Sequence, residues 1–272
     1  MVEKNRDDKK QQLYMTFLLV IIALVAVSAA TVAWFTIADN TKVNSMDMNV
    51  TSGVSLRFDL DPHATFDEYV RTLSFADIAN RIQRDKQFDM RKTPLVPVTT
   101  NDCVRFSYED GKLSESTSGD YLEFTLNFMA TEDMVVHLTS ADSTYGGKGT
   151  LVSSKNPSLP SAMRISFTVD GRTYIYDPGI GDTASTTGNL KTFGLPVASK
   201  MVYSDNNALF DIKKDVNVPV VVHIWMEGTD EACNNELRGS DYAITMRFEG
   251  TDKDNKLLVE PRQEKKTNEK DQ

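Results

Sequence analysis

The chain has 272 residues, 40% of them hydrophobic, and its 39 acidic and 30 basic residues give a net charge of −9. This composition supports a folded core and excludes global disorder, and the acidic balance without a basic stripe after residue 10 excludes nucleic acid as a partner. The two cysteines form no CxxC pair, which excludes a zinc ribbon and a thioredoxin-type redox site.

The first element is an uncharged, apolar stretch that predicts export. Residues 13–36 are long enough for a signal peptide or a transmembrane anchor. Residues 1–12 are net positive once the terminal amine is counted, so we expect them to remain in the cytoplasm. Small residues suited to cleavage follow the densest apolar part, at Ala29, Ala30 and Ala33. Both interpretations predict membrane contact through residues 13–35, at least transiently, and an extracellular or cell-surface location for the remainder.

Strand patterns begin directly after this stretch. Residues 40–60 alternate polar and apolar side chains, the period of half-buried strands, with a break at Ser52-Gly53. Between Thr65 and Lys92, apolar residues instead recur every three or four positions among charged ones. This spacing predicts one or two short amphipathic helices, ended by Pro94 and Pro97, as an insertion over about residues 65–92.

Predicted strands dominate the rest of the chain, at residues 121–130, 133–140, 162–178, 217–228 and 240–250. Asp170-Gly171, in the middle of 162–178, is a strong signal for a hairpin turn. The run 217–228 is apolar enough for a central strand that is buried on both faces. Residues 140–161 and 179–192 are rich in Gly, Ser, Thr and Asn, and we expect them to be long connectors.

Together the patterns predict a mainly β fold. The expected architecture is an antiparallel jelly-roll-like β-sandwich over residues 40–250, with a short helical insertion, preceded by an N-terminal hydrophobic helix. Residues 251–272 are charged and mixed in sign, and they are predicted to be a disordered tail.

One segment carries a family resemblance. The residues AATVAWFTIADNTKVNSMDMNVTSGVSL combine an alanine and aromatic motif, Ala33 to Thr36, with a polar turn and a first strand. Over residues 15–56 the chain resembles the TasA/camelysin-like exported proteins of Gram-positive bacteria. The resemblance implies a jelly-roll domain, extracellular fibres of the biofilm matrix and processing by a dedicated signal peptidase. Camelysin-like proteins are often described as metallopeptidases, but HExxH is absent here, so no such activity carries over.

The cysteines and histidines give no catalytic pattern. Cys103 and Cys233 leave two alternatives, a disulfide that closes a long loop or two separate buried thiols. His137 and His223 lie in predicted strands, which is typical of partly buried histidines bonded to the backbone, and His63 lies in no catalytic motif. GxSxG, Walker A and GxGxxG motifs are all missing, so we predict a protein that is not an enzyme.

Acidic loops are the best candidate for a ligand site. The loops DPGIGD, EGTDEACNNE and GTDKDN are rich in carboxylate and amide oxygens, which calcium prefers. Asp and Asn are equally ordinary turn formers, and none of the loops follows the EF-hand order. The calcium candidates are Asp177, Asp182, Asp230, Glu231, Asp252 and Asp254. No other cofactor is predicted.

Two functions from different classes fit the sequence. The first is an exported cell-surface or extracellular-matrix structural protein, in its strongest form a self-assembling fibre subunit, whose strand at 40–50 adds to a neighbouring subunit. The alternative is a membrane-anchored extracellular binding module that recognises a glycan or a surface protein through residues 140–161 and 179–192. Trp225, at the end of the most apolar strand, is either a core residue or a platform for a sugar ring.

Overall fold

The computed structural model describes residues 14–23, 42–50, 55–141, 149–237 and 239–258. Residues 1–12, the candidate processing residues Ala29, Ala30 and Ala33, and residues 259–272 of the expected tail lie outside the described residues. A helix, α1, covers residues 14–23, and its apolar side chains are exposed. None of the helices found in the described ranges combines the length and the apolar character needed to cross a membrane.

Strands dominate the described part of the chain. In chain order they are β1 (Lys42–Val50), β2 (Leu56–Asp59), β3 (Thr72–Leu73), β4 (Phe106–Ser107), β5 (Leu113–Ser114), β6 (Leu122–Ala130), β7 (Met134–Leu138), β8 (Leu151–Ser154), β9 (Met163–Val169), β10 (Arg172–Tyr176), β11 (Ala184–Thr187), β12 (Leu190–Phe193), β13 (Ala208–Ile212), β14 (Val218–Met226) and β15 (Asp241–Thr251). The helices after α1 are α2 (Phe75–Lys86) and α3 (Leu159–Ala162). The predicted mainly β fold is confirmed.

Sheet A has six strands in the order β13-β7-β15-β1-β3, with β8 also paired to β15. Most of its pairs are antiparallel, but β1 runs parallel to β15 from Lys42↔Asp241 to Val50↔Phe248. In the other large sheet, β10 and β12 are also parallel. The expectation of an antiparallel architecture is therefore wrong for these two pairs, because local alternation reveals a strand but not the direction of a partner distant in sequence.

Sheet B has seven strands in the order β11-β12-β10-β9-β14-β6-β2. The apolar strand β14 is central, as predicted, and pairs antiparallel with β6 and β9. β9 and β10 form the predicted hairpin, in which Arg172 pairs with Val169 across a loop of two residues. Asp170 (φ 48°) and Gly171 (φ 73°) both have left-handed backbones, as a two-residue type I′ turn requires.

The main hydrophobic core lies between the inner faces of the two large sheets. Alternate residues of β6 are buried there, ending with Phe128 from sheet B. The Phe128 ring centroid lies 5.1 Å from that of Phe248 and 5.2 Å from that of Phe210, both from sheet A. These edge-to-face contacts join the sheets, and their packing adds to the stabilisation that burial of the rings provides.

Helix α2 lies within the range predicted to be helical, and its buried side chains Ile78, Ala79 and Ile82 join the main core. It begins at a capping box in which Ser74 and Asp77 bond reciprocally to each other's backbone amides. It ends at Gln87, whose left-handed backbone (φ 64°) stops the helix before either proline. The expected role of Pro94 and Pro97 as helix terminators is therefore wrong.

Two predicted connectors and part of the predicted tail contain regular structure. β8 and α3 lie within 140–161, and β11 pairs with β12 within 179–192. Their Ser- and Thr-rich sequences lack an apolar period because they lie at sheet margins, where side chains are half-exposed. After β15, a turn brings Leu257 opposite Thr251. Residues 251–258 are thus ordered, contrary to the prediction of a tail disordered from residue 251.

Candidate functional site

The edge of sheet A formed by β1 is the first candidate site. One side of β1 pairs with β15 from Lys42 to Val50, whereas its other side pairs, among the described residues, only with β3 at Met48 and Asn49. Val43 and Met46 are buried in the core, and the exposed Asn44 lies at a register shift between Val43 and Ser45. Residues 42–47 therefore present an edge that can accept another strand.

The C-terminal end of β1 and the last described residues lie along the same edge of β15. Because β7 occupies the opposite edge, the Leu257 bridge to Thr251 continues the line that β1 follows as far as Phe248. The Leu258 amide donates a 3.0 Å hydrogen bond to the Gly250 carbonyl. The edge strand that follows the apolar segment thus lies directly beside the end of the described chain.

Two of the six calcium candidates come together, but an arginine lies between them. Arg164 Nη2 is 3.0 Å from an Asp177 carboxylate oxygen and 2.5 Å from an Asp230 carboxylate oxygen. Asp177 is buried and accepts the Gly179 amide at 2.8 Å. Desolvation raises the pKa of Asp177, and the Arg164 charge opposes that rise. The Arg164 guanidinium therefore supplies the positive charge between these two calcium candidates.

The remaining calcium candidates serve turns or lie exposed. Asp252 accepts the amides of Asp254 and Lys256 at 2.9 and 2.8 Å, the turn role that the sequence left open. Asp182 and Glu231 are exposed. In the described ranges, no group of three or more His, Cys, Asp or Glu side chains is placed to hold a metal ion. Arg164 was missed at the sequence level; its only signal is a charge between the apolar residues of a strand.

The two strand histidines are buried, as expected. Within the described ranges their hydrogen-bonding partners are side chains and not the expected backbone groups. His137 Nε2 lies 3.0 Å from Thr251 Oγ1, and Nδ1 lies 3.4 Å from Asn207 Oδ1. Burial lowers the pKa of His137 to about 4, because desolvation disfavours the imidazolium. The third histidine, His63, lies at the surface, 3.4 Å from the carboxylate of Asp59.

His223 forms a row with Ser166 and Glu123, its direct cross-strand neighbours on β9 and β6. Its Nδ1 lies 3.4 Å from Ser166 Oγ and its Nε2 lies 3.6 Å from Glu123 Oε2, while Lys86 from α2 donates to the other carboxylate oxygen, Oε1, at 2.6 Å. Hydrogen bonds from His223 and Lys86 lower the pKa of Glu123 to about 2, against the opposing effect of desolvation. Ser166 is fully buried, and the Phe106 ring packs on His223. The row therefore joins α2 to sheet B, with the Phe106 ring packed against its histidine.

Both cysteines are free thiols in the structure, so the second of the two alternatives, separate thiols, is the one observed. Cys103 packs with Phe106, Tyr121 and Trp225 in a small cluster on the outer face of sheet B. Burial raises the pKa of the Cys103 and Cys233 thiols to about 12 in each case. Since the thiolate is the reactive form, burial disfavours nucleophilic chemistry at both side chains.

Trp225 is a core residue and not an open platform. Only 1% of its surface is exposed, and its indole Nε1 donates a 2.9 Å hydrogen bond to Glu227. The Phe106 ring lies edge-on at 5.4 Å. Of the two roles that the sequence left open for this tryptophan, the structure shows the first.

The second candidate site is a cleft of about 580 Å³ between the edge of sheet A and sheet B. Residues Ala208 to Asp211 of β13 form one wall, and the β9–β10 hairpin with β12 forms the other. Its apolar and aromatic lining is formed by Val135, Val169, Tyr174, Ala208, Leu209 and Phe210; its charged lining is formed by Asp170, Arg172, Lys191, Asp205 and Asp211. Lys191 comes from the 179–192 segment that the sequence offered for binding.

Comparison of the chain with protein-family models, with curated proteins and with solved structures finds no match.

Proposed function

We propose that the protein is an exported structural protein of the cell surface or extracellular matrix whose β domain associates with further copies of itself. In this proposal the domain is of the jelly-roll type, residues 13–36 carry the chain to or across the membrane, and the protein is not an enzyme. The resemblance of residues 15–56 to TasA/camelysin-like exported proteins supports the proposal. The alternative keeps residues 13–36 as an anchor.

The observation that carries the proposal is the open edge of β1. A strand that is paired along one side, and only at Met48 and Asn49 along the other within the described ranges, leaves backbone donors and acceptors available to a second chain. The Lys42 side chain is half-exposed and Asn44 is exposed, so this part of the strand is accessible to solvent. Backbone pairing supplies the affinity in such strand addition.

The proposal is tested by electron microscopy and sedimentation of the processed protein over a wide range of concentration. We expect concentration-dependent assemblies from the wild type. Asn44→Lys places a charge on the exposed edge without changing a core residue, and it should shift the protein toward monomers. Asn101→Lys is the matched control, because it makes the same change at an exposed position away from β1. Monomers alone at every concentration of wild-type protein would contradict self-association.

The cleft beside β13 favours the alternative function, a membrane-anchored module that binds a glycan or a surface protein. Its volume lies in the usual range for ligand sites, and it combines apolar residues with converging charges. The test is saturable binding of labelled surface polysaccharide or surface protein to the full chain. Replacing Arg172 and Asp211 with Gln and Asn should reduce that binding several-fold; unchanged binding would exclude the cleft as the site.

A further inference from the structure

The cleft contains a lysine whose charge is only partly compensated. Lys191 is half-buried on the inner side of β12, with its ammonium 5.4 Å from the Tyr174 ring centroid and 5.8 Å from that of Phe193. It donates a hydrogen bond to the main-chain carbonyl of Asp205. Among the described residues, no carboxylate forms an ion pair with it. The ammonium thus lies near two aromatic rings and a carbonyl, and in the part of the chain that the structure describes no carboxylate is in ion-pair contact with it.

Desolvation makes this lysine receptive to an anion. Burial lowers the pKa of Lys191, and the nearby Asp205 charge opposes the effect only in part. A carboxylate that binds beside the ammonium would restore the lost charge compensation in surroundings less polar than water. Arg172, exposed in the same cleft, provides a second cation whose planar guanidinium suits a carboxylate.

The rest of the lining restricts the kind of anion. Asp170, Asp205 and Asp211 are exposed carboxylates in the cleft, so they can accept hydrogen bonds from the hydroxyl groups of a ligand. The half-buried Tyr174 provides aromatic surface for the carbon face of a ring. A sugar ring that carries one carboxylate and several hydroxyl groups matches the two cations, the aspartates and the aromatic surface of the cleft.

We propose that the cleft between β13 and the β9–β10 hairpin binds a uronic acid residue of an acidic polysaccharide, with the sugar carboxylate at Lys191 and Arg172. The sugar hydroxyls then donate to the aspartates of the cleft. The inference rests on the alternative, ligand-binding function and names its class of ligand. It does not depend on self-association.

The test is calorimetric titration of the full chain in detergent micelles with trigalacturonate and with its methyl ester. The ester has the same ring stereochemistry without the charge. We expect saturable binding of the acid, at least about tenfold weaker binding of the ester, and weakening of the acid complex as salt is raised. Equal binding of acid and ester, or no binding of either, would overturn the proposal.

Variants locate the binding and identify other occupants. Lys191→Met should weaken trigalacturonate binding at least about tenfold and Arg172→Gln several-fold, whereas Lys155→Met, exposed and outside the cleft, should leave it unchanged. Arg172 is exposed, so its variant tests the site even if Lys191→Met misfolds. Unchanged trigalacturonate binding by both Arg172→Gln and a folded Lys191→Met would overturn the assignment. The assignment would also be overturned if these variants lost self-association but kept their sugar binding. If trigalacturonate fails while a labelled surface protein still binds, the uronate inference falls and the binding function stands.

Discussion

At the scale of single residues, two of the aspartates that the sequence offered as calcium candidates form an internal ion pair with Arg164. The acidic loops after β10 and β14 were identified from composition, and Asp177 and Asp230 do converge there. The partner could not be identified from the sequence, because Arg164 lies more than ten positions from either aspartate and follows no motif. A charge inside an alternating strand becomes informative only when the neighbouring loops are known.

Removing the shared arginine should be strongly destabilising. Arg164→Met leaves Asp177 buried without its cation, and we expect a loss of about 3–5 kcal/mol in the free energy of unfolding. The measurement is urea denaturation at neutral pH. The control is Arg105→Gln, which breaks an exposed pair with Asp102 and should change stability by less than about 1 kcal/mol. Equal effects of the two variants would contradict the buried role of Arg164.

His137 should make stability depend on pH in mild acid. The unfolded chain binds the imidazole proton near pH 6.5 but the folded state only near pH 4, because burial lowers the pKa of His137. Between these values the unfolded state holds more protons, so stability falls as the pH falls. His137→Gln should remove this component, of the order of 3 kcal/mol at most. His63→Gln is the matched control, and an identical acid dependence in wild type and His137→Gln would contradict the account.

At the scale of elements, the sequence predicts a strand or a turn correctly where the local pattern alone determines it. The alternation of β6, the apolar run of β14 and the Asp170-Gly171 turn each led to the correct element. β11 and β12 were missed because short strands near the margin of a sheet, with half-exposed polar side chains, resemble connectors. The parallel pairing of β1 with β15 was missed because it joins distant segments.

The hairpin turn gives a direct test of backbone geometry. A Cβ at Gly171 would meet no atom within 4 Å, so the effect of Gly171→Ala comes from the left-handed backbone alone. We expect a loss of about 1–2 kcal/mol in unfolding free energy. Asp170→Asn should be nearly neutral, since asparagine tolerates the same conformation. A neutral Gly171→Ala would contradict the type I′ turn.

The anchoring of β1 is testable through its core side chain. Met46 is fully buried, so Met46→Ala should lower the free energy of unfolding by about 2–5 kcal/mol. Asn44→Ala, on the exposed side of the same strand, should change it by less than about 0.5 kcal/mol. Thermal or urea unfolding of the two variants measures the difference. Similar, small effects would mean that β1 does not contribute to the core.

At the scale of the whole molecule, the structure joins a mainly β domain to the apolar segment through an edge strand. Residues 42–50 follow that segment and pair with β15, whose far end carries the last described residues. In the sequence, this open edge strand directly follows the segment in which processing or anchoring is proposed to act. Whether the domain is released or retained therefore determines which of the proposed functions operates.

The most direct test of the central proposal is the N-terminus and intact mass of the protein isolated from its own cells. The account predicts a chain that begins between Ala30 and Asp39 and is recovered outside the cytoplasmic membrane. A full-length chain in the membrane fraction would contradict release of the structural subunit, and would favour the anchored binding module instead.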